Sequence, residues 1–217
     1  MRQMKKVFLR RLVLLTTLSC FFVTALQAKE REKESENLPR KHVLMLGLND
    51  NVKSNYFSKL TITEETGVKD GMIDREYNAI IMENIMASAN SSCIFTPVSA
   101  EEASVNKWMG LIKVNGEGDE CYSDVSLVPN DEYRNVLDVA GAEYLLVLNQ
   151  HYLKWQDKPM ITLFHIVSYT LFDKEKNEVY RGNSYFTSMN IEKSDKLRKI
   201  SGKTSSRIAS SVIGQIK

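Results

Sequence analysis

Three histidines, His42, His151 and His165, and three cysteines, Cys20, Cys93 and Cys121, are the residues of this 217-residue chain best suited to metal binding or nucleophilic attack. Neither set is spaced for it. No His-x-His or His-Glu-x-x-His pair gathers a metal, and His151 and His165 come without a third ligand. No nucleophile elbow, phosphate-cradling glycine loop or kinase signature appears. The acids of Glu64-Glu65 and Glu101-Glu102 are adjacent in polar settings, so no raised-pKa acid faces a partner base. Asp70 lacks the Asp-x-Asp-x-Asp-Gly spacing of a calcium loop. The expectation is a chain that is not an enzyme and carries no cofactor or metal. The alternative is a hydrolase-like enzyme of unrecognised class, using His151, His165 and acids of residues 49–73 in a cleft.

Aromatic residues supply a different chemistry. Tyr144, Tyr152, Trp155, Phe164, Tyr169, Phe172, Tyr180, Tyr185 and Phe186 crowd one stretch that reads as antiparallel strands, and a sheet covered by helices on one face leaves some of them outward. Such rings stabilise a sheet by pairing across strands, or form a patch for a protein partner, a small ligand or a glycan. Tyr56 and Phe57 lie apart from these, in a polar segment spanning residues 49–74 that is too long to be structureless in a compact domain unless it binds something. They are the candidate partner-binding anchors. The other possibility is that the pair folds back to plug one end of the core.

The front of the chain sets the compartment. Residues 1–11 hold Arg2, Lys5, Lys6, Arg10 and Arg11 with no acid, Leu12 to Leu26 is apolar, and Ala25 and Ala28 are small, which is the pattern of a secretory signal peptide over residues 1–28. The apolar run is short for a membrane span. Thr17-Leu18-Ser19-Cys20 resembles a degenerate lipobox; lipidation of Cys20 would tether the protein to a membrane, although Thr17 stands where an aliphatic residue is usual. The expected location is therefore periplasmic, or membrane-tethered if Cys20 is lipidated. Beyond residue 28 the chain holds 24 basic against 27 acidic residues, a balance with no electrostatic reason to bind nucleic acid. Loss of the leader leaves Cys93 and Cys121 as an even pair in an oxidising space, which predicts a disulfide; in the alternative reading Cys93 is a buried small hydrophobe and Cys121 an unrelated loop thiol.

These residues need elements to hold them. Residues 29–41 alternate charges and read as a solvated tether, followed by one α+β domain over residues 42–217, for which 43% hydrophobic and 26% charged residues are ordinary. Val43 to Leu48 reads as a buried central strand. Asp74 is placed to cap a helix with Tyr77, Ile80, Ile81 and Ile85 on one face, and Cys93 to Val98 is a strand ended by proline. Ser99-Ala100-Glu101-Glu102 fits a capping box for a helix carrying Val105, Trp108, Met109 and Ile112. Asn130 or Asp131 caps a helix through Tyr133, Val136 and Leu137 that stops at Gly141, ahead of a buried strand at Tyr144 to Leu148. Met160 to Phe172 and Glu178 to Met189 form a hairpin about the polar turn at residues 173–177. An amphipathic helix runs from Ser194 to the end with Lys193, Lys196, Arg198, Lys199, Lys203 and Arg207 toward solvent, a face able to meet an acidic surface. The expected fold is a mixed sheet with helices packed on one face and a C-terminal meander closed by a helix.

Gly141-Ala142-Glu143-Tyr144-Leu145-Leu146-Val147, the passage from Tyr169-Thr170-Leu171-Phe172-Asp173 into Glu178-Val179-Tyr180-Arg181-Gly182, and the closing Ser205-Ser206-Arg207-Ile208-Ala209 resemble a recurring pattern of bacterial envelope domains. The pattern is similar to the anticodon-binding-domain-like fold of the N-terminal part of TolB, the curli secretion lipoproteins and the lipoprotein activators of penicillin-binding proteins. It covers residues 130–217 by these motifs and 42–115 by element order. The hairpin turn departs from it in lacking glycine. The resemblance implies an exported domain that binds another envelope protein, as an assembly or secretion accessory, and transfers no catalytic residue.

Overall fold

The structure is a computed structural model that describes residues 40–69, 71–90, 92–98, 107 and 109–216. The leader at 1–28, the tether through residue 39, Asp70, the expected capping box and the helix positions Val105 and Trp108 lie outside the described residues.

Strand β1 (Lys41–Gly47) is central because its side chains are apolar on both faces. Val43 and Met45 point into one core and Leu44 and Leu46 into another, all at most 4% exposed. It pairs in parallel with β3 (Cys93–Pro97) on one side and with the start of β6 (Tyr144–Gln156) on the other. A short strand, β2 (Val52–Ser54), pairs in parallel with β6 farther along, Val52 opposite His151 and Ser54 opposite Leu153. β7 (Thr162–Asp173) runs antiparallel to β6 and β8 (Glu178–Ser188) antiparallel to β7, completing the meander in the order β3-β1-β6-β7-β8. The expected mixed sheet, antiparallel meander and closing helix are all present.

Two helices share the first face: α2 (Ile73–Ala87), which buries Tyr77, Ile80, Ile81 and Ile85, and α4 (Ser194–Gln215), which buries Leu197, Ile208, Ala209 and Val212. Truncating Ile80, Ile81 or Ile85 to alanine should cost about 2–5 kcal/mol, because none of the three is more than 1% exposed. The helices do not all share that face. Helix α3 (Asn130–Ala140) sits on the other side, where Tyr133, Val136 and Leu137 meet Leu44, Leu46, Leu145 and Val147. The physical reason is the doubly apolar character of β1 and β6, which requires cover on both faces. Gly141 ends α3 in the left-handed region at φ 63°, as expected. Neither Asn130 nor Asp131 caps it, since Pro129 takes that place, and Asp74 does not cap α2 but accepts the Val52 backbone N–H at 2.7 Å.

The segment from 49 to 73 is not an open loop. It holds β2 and a short helix, α1 (Lys59–Thr66), capped by Ser58, whose Oγ accepts the Thr61 N–H. Asn51 and Asn78 exchange side-chain hydrogen bonds at 2.8 and 3.2 Å and also donate to the carbonyls of Leu148 and Leu48, which fixes the crossing from β1 to β2. On the second face a two-stranded ribbon, β4 (Lys113–Asn115) and β5 (Tyr122–Asp124), lies over the middle of β6 and β7. A bulge between Leu148 and Gln150 frees Asn149 to anchor that ribbon, accepting from Ser123 Oγ at 2.7 Å and donating to the Cys121 carbonyl and Thr170 Oγ1.

Candidate partner-binding surface

Tyr56 and Phe57 are placed by the two residues before them. Ser54 Oγ donates to the Leu153 carbonyl and accepts both the Tyr56 and Phe57 N–H groups, so the turn leaving β2 is tied to β6. Asn55 then imitates one more step of the ladder: its side chain accepts the Trp155 N–H at 2.7 Å and donates to the Trp155 carbonyl at 3.2 Å. Trp155 is thereby delivered to the pair. Its ring stacks on Tyr56 at 5.6 Å and 19°, and meets Phe57 edge-on at 5.4 Å, while its indole N–H donates to Asp157. The two candidate anchors part company here. Tyr56 is 67% exposed, whereas Phe57 is half-buried against the first core, so the proposed plug describes Phe57 and the proposed anchor describes Tyr56.

The register places the remaining aromatic residues. Trp155 lies opposite Leu163, which points into the first core, so its neighbour Phe164 faces the other side, where it meets Tyr185 at 6.1 Å. Tyr169, Phe172 and Phe186 are buried, and Tyr144, Tyr152 and Tyr180 half-buried. On the second face Tyr185 is exposed and Phe164 half-buried beside it, and with Ile166, Lys154, Gln156, Asn183 and Asp119 they border a hollow of about 250 Å³. The β4–β5 ribbon stops short of it: Arg181 stacks over Tyr122 at 4.1 Å and Asn183 donates to the Asp119 carbonyl at the margin. At the tip beyond, Met160 and Met189 are each 72% exposed and Ile161 56%. One end of the sheet, the end holding the β6–β7 connection, thus carries exposed apolar side chains on both faces.

His151 and His165 are brought together but away from solvent. His151 Nε2 lies 3.2 Å from His165 Nδ1, His165 Nε2 lies 2.9 Å from Ser188 Oγ, and Ser188 Oγ donates to the Asn190 carbonyl at 2.6 Å. That last bond assigns the tautomers. Ser188 must accept from His165 Nε2–H, which leaves His165 Nδ1 to accept from His151 Nε2–H. His151 Nδ1 then carries a buried lone pair without a hydrogen-bond partner among the described residues, and the His151 ring meets that of Tyr77 at 4.8 Å and 73°. Burial pushes His165 down to about 3 and His151, with His165 beside it, well below its usual value. Both rings are neutral members of an internal chain, and the acids of residues 49–73 go elsewhere: Asp50 pairs with Lys53 and Lys59. No cluster of three or more His, Cys, Asp or Glu residues placed to hold a metal occurs among the described residues.

The expected disulfide is not formed. Cys93 and Cys121 are both free and buried. Cys93 packs in the first core, while Cys121 lies with the β5 ribbon above Asn149, so the sheet stands between them. Burial pushes the Cys93 thiol up to about 11 and raises that of Cys121. The contribution of Trp155 was not legible in sequence, since it depends on a contact between residues about one hundred positions apart that only the pairing of β2 with β6 creates.

No protein-family profile matches the chain, and no curated protein matches it in sequence. Among solved structures the fold is similar to the PelC dodecamer from Paraburkholderia phytofirmans, at 10% identity and a TM-score of 0.37 over 79% of this chain and 87% of that one. It is also similar to the hypothetical protein CT253 from Chlamydia trachomatis, at 10% identity and 0.43 over 81% and 95%. A third likeness is to the LpoB C-terminal domain from Salmonella enterica, at 13% identity and 0.33 over 72% and 90%. Likenesses this loose carry no functional argument. No described helix is long and apolar enough to cross a membrane.

Proposed function

We propose that this is an exported, non-enzymatic envelope protein that binds a protein partner through the apolar end of its sheet, with Tyr56 as an anchor. The observation that carries the reading is the Tyr56–Trp155 stack, in which a large exposed ring leaving β2 is held against β6 by the two hydrogen bonds between the Asn55 side chain and the Trp155 main chain. A preorganised ring loses little freedom on binding, and a few such aromatic residues usually dominate interface energetics. The leader at residues 1–28 supports export. The internal hydrogen bonding of His151 and His165 supports a structural rather than catalytic role for them. The hollow beside Phe164 and Tyr185 favours a second reading, a glycan stacked on the rings and bonded by Lys154, Gln156 and Asn183.

Single alanine variants test the anchor. Tyr56→Ala should melt within about 1 kcal/mol of the parent yet lose partner capture, while Phe57→Ala should lose about 2 kcal/mol of stability. Unchanged capture by a folded Tyr56→Ala protein would remove Tyr56 from the site. Oligosaccharide binding by the parent that is lost in Tyr185→Ala, with protein capture unchanged, would favour the glycan.

A further inference from the structure

Helix α4 carries five cations and one carboxylate, Asp195, in a chain whose body beyond the leader is acidic overall. Their arrangement is a stripe. Lys196, Lys199, Lys203 and Arg207 follow at steps of three, four and four, all exposed, opposite the buried face of Leu197, Thr204, Ile208 and Val212. The stripe runs about 16 Å at 1.5 Å per residue. Two cations near its start are neutralised, Lys196 by Glu192 and Arg198 by Glu83 of α2. Lys199, Lys203 and Arg207 have no carboxylate partner among the described residues, and no acid follows Asp195 to the end of the chain. Solvated surface cations are usually interspersed with acids; an unbroken row is a field of one sign.

A second observation lies at the N-terminal end of the same helix. β8 delivers Met189 just before α4, and the pairing of Leu163 with Ser188 sets Met189 beside the β6–β7 connection, where Lys158, Met160 and Ile161 are exposed. The His165–Ser188–Asn190 chain holds that corner, with Ile191 buried behind it. Aliphatic tips beside unpaired lysines are what a phospholipid surface receives: the apolar groups enter the headgroup boundary and the cations remain at anionic headgroups.

From this juxtaposition of an unpaired basic stripe and an apolar tip, we infer that α4 and the adjoining corner form a docking surface for an anionic phospholipid membrane. The inference does not require lipidation at Cys20; it assigns the Met160–Met189 tip to the membrane and leaves Tyr56 to the protein partner. It leaves the Phe164–Tyr185 face, on the opposite side of the sheet from α4, free for a second ligand.

Vesicle co-sedimentation tests it, using protein recovered from its native cells so that any N-terminal processing is the same in every variant. The probes are vesicles of phosphatidylcholine alone and of phosphatidylcholine with a third phosphatidylglycerol. The parent should partition onto the anionic vesicles and release as salt rises. A cation near such a surface contributes about fivefold, so Lys199→Glu/Lys203→Glu/Arg207→Glu should lower partitioning on the order of a hundredfold. Lys199→Gln/Lys203→Gln/Arg207→Gln keeps the test valid if reversal disturbs folding, and Met160→Ser/Met189→Ser should weaken binding that remains at high salt. Lys113→Glu/Lys174→Glu, away from α4, should bind as the parent does. Equal binding to both vesicle types, or unchanged binding by the folded triple glutamine variant, overturns the inference. So does a stripe whose loss abolishes capture of an acidic protein while leaving vesicle binding intact.

Discussion

Acid should destabilise this fold through its buried histidine pair, and the size of the effect follows from the geometry. His165 is fully buried and held to about 3, with both ring nitrogens engaged by His151 and Ser188, so the native ring stays neutral where the unfolded ring takes up a proton. A depressed histidine pKa favours the unfolded state as pH falls: stability from this ring is intact above about 6.5 and drains away between there and about 3. At pH 5, about 1.5 units below the unfolded ring's ordinary value of about 6.5, the loss at about 1.4 kcal/mol per unit is about 2 kcal/mol from His165. His151 shifts in the same direction and adds to it. The groups packed around the pair, the Tyr77 and Phe186 rings and Ser188, carry no charge to offset a proton. Urea unfolding at pH 8 and pH 5 measures the loss. The His151→Phe/His165→Phe variant serves as control, since its slope between the two pH values should be smaller even if its stability at pH 8 is lower. Equal stability of the parent at both pH values, or an unchanged slope in the variant, would refute the assigned burial and hydrogen bonding.

Other expectations follow from single contacts. Cys93 and Cys121 should react with iodoacetamide only after unfolding, with the same intact mass before and after reduction; a two-proton mass difference would reinstate the bridge. Gly47→Ala should lower stability by about 2 kcal/mol or more, because a Cβ there falls 2.5 Å from Asn78 Cγ and displaces the bonds from Asn78 to Leu48 and Asn51; a melting point equal to the parent's would show that Asn78 relaxes freely. Ser54→Ala should cost about 1 kcal/mol or more and shift Trp155 fluorescence, since it removes the hydroxyl that ties the Tyr56 turn to β6.

Hydrophobic period makes most of the frame legible in the sequence. Tyr77, Ile80, Ile81 and Ile85 recur at helical spacing, β1 is apolar without alternation, and Gly141 marks the end of α3, so each element followed from local physics. What was not legible depended on partners distant in sequence. The side of the sheet taken by α3 is set by Leu44, Leu46 and Leu145, not by α3 itself. Polar residues 49–73 hid β2 and α1, because β2 has only three residues and gains its order from β6. An even cysteine count carried no information about the sheet lying between Cys93 and Cys121. Tyr56 and Phe57 looked equivalent as neighbours in sequence; the Ser54 turn and Trp155 make one exposed and the other part of the core edge.

The central claim, a protein-binding surface at the apolar end of the sheet, is tested most directly by photo-crosslinking in living cells with a reactive residue placed singly at Tyr56, Tyr185 or Val139. Val139 is 73% exposed on α3 and serves as the reference for chance encounters. The account predicts one discrete crosslinked envelope protein from Tyr56 or Tyr185 and none from Val139. Adducts equally abundant at all three positions, or absent from Tyr56 and Tyr185 in folded protein, would contradict it.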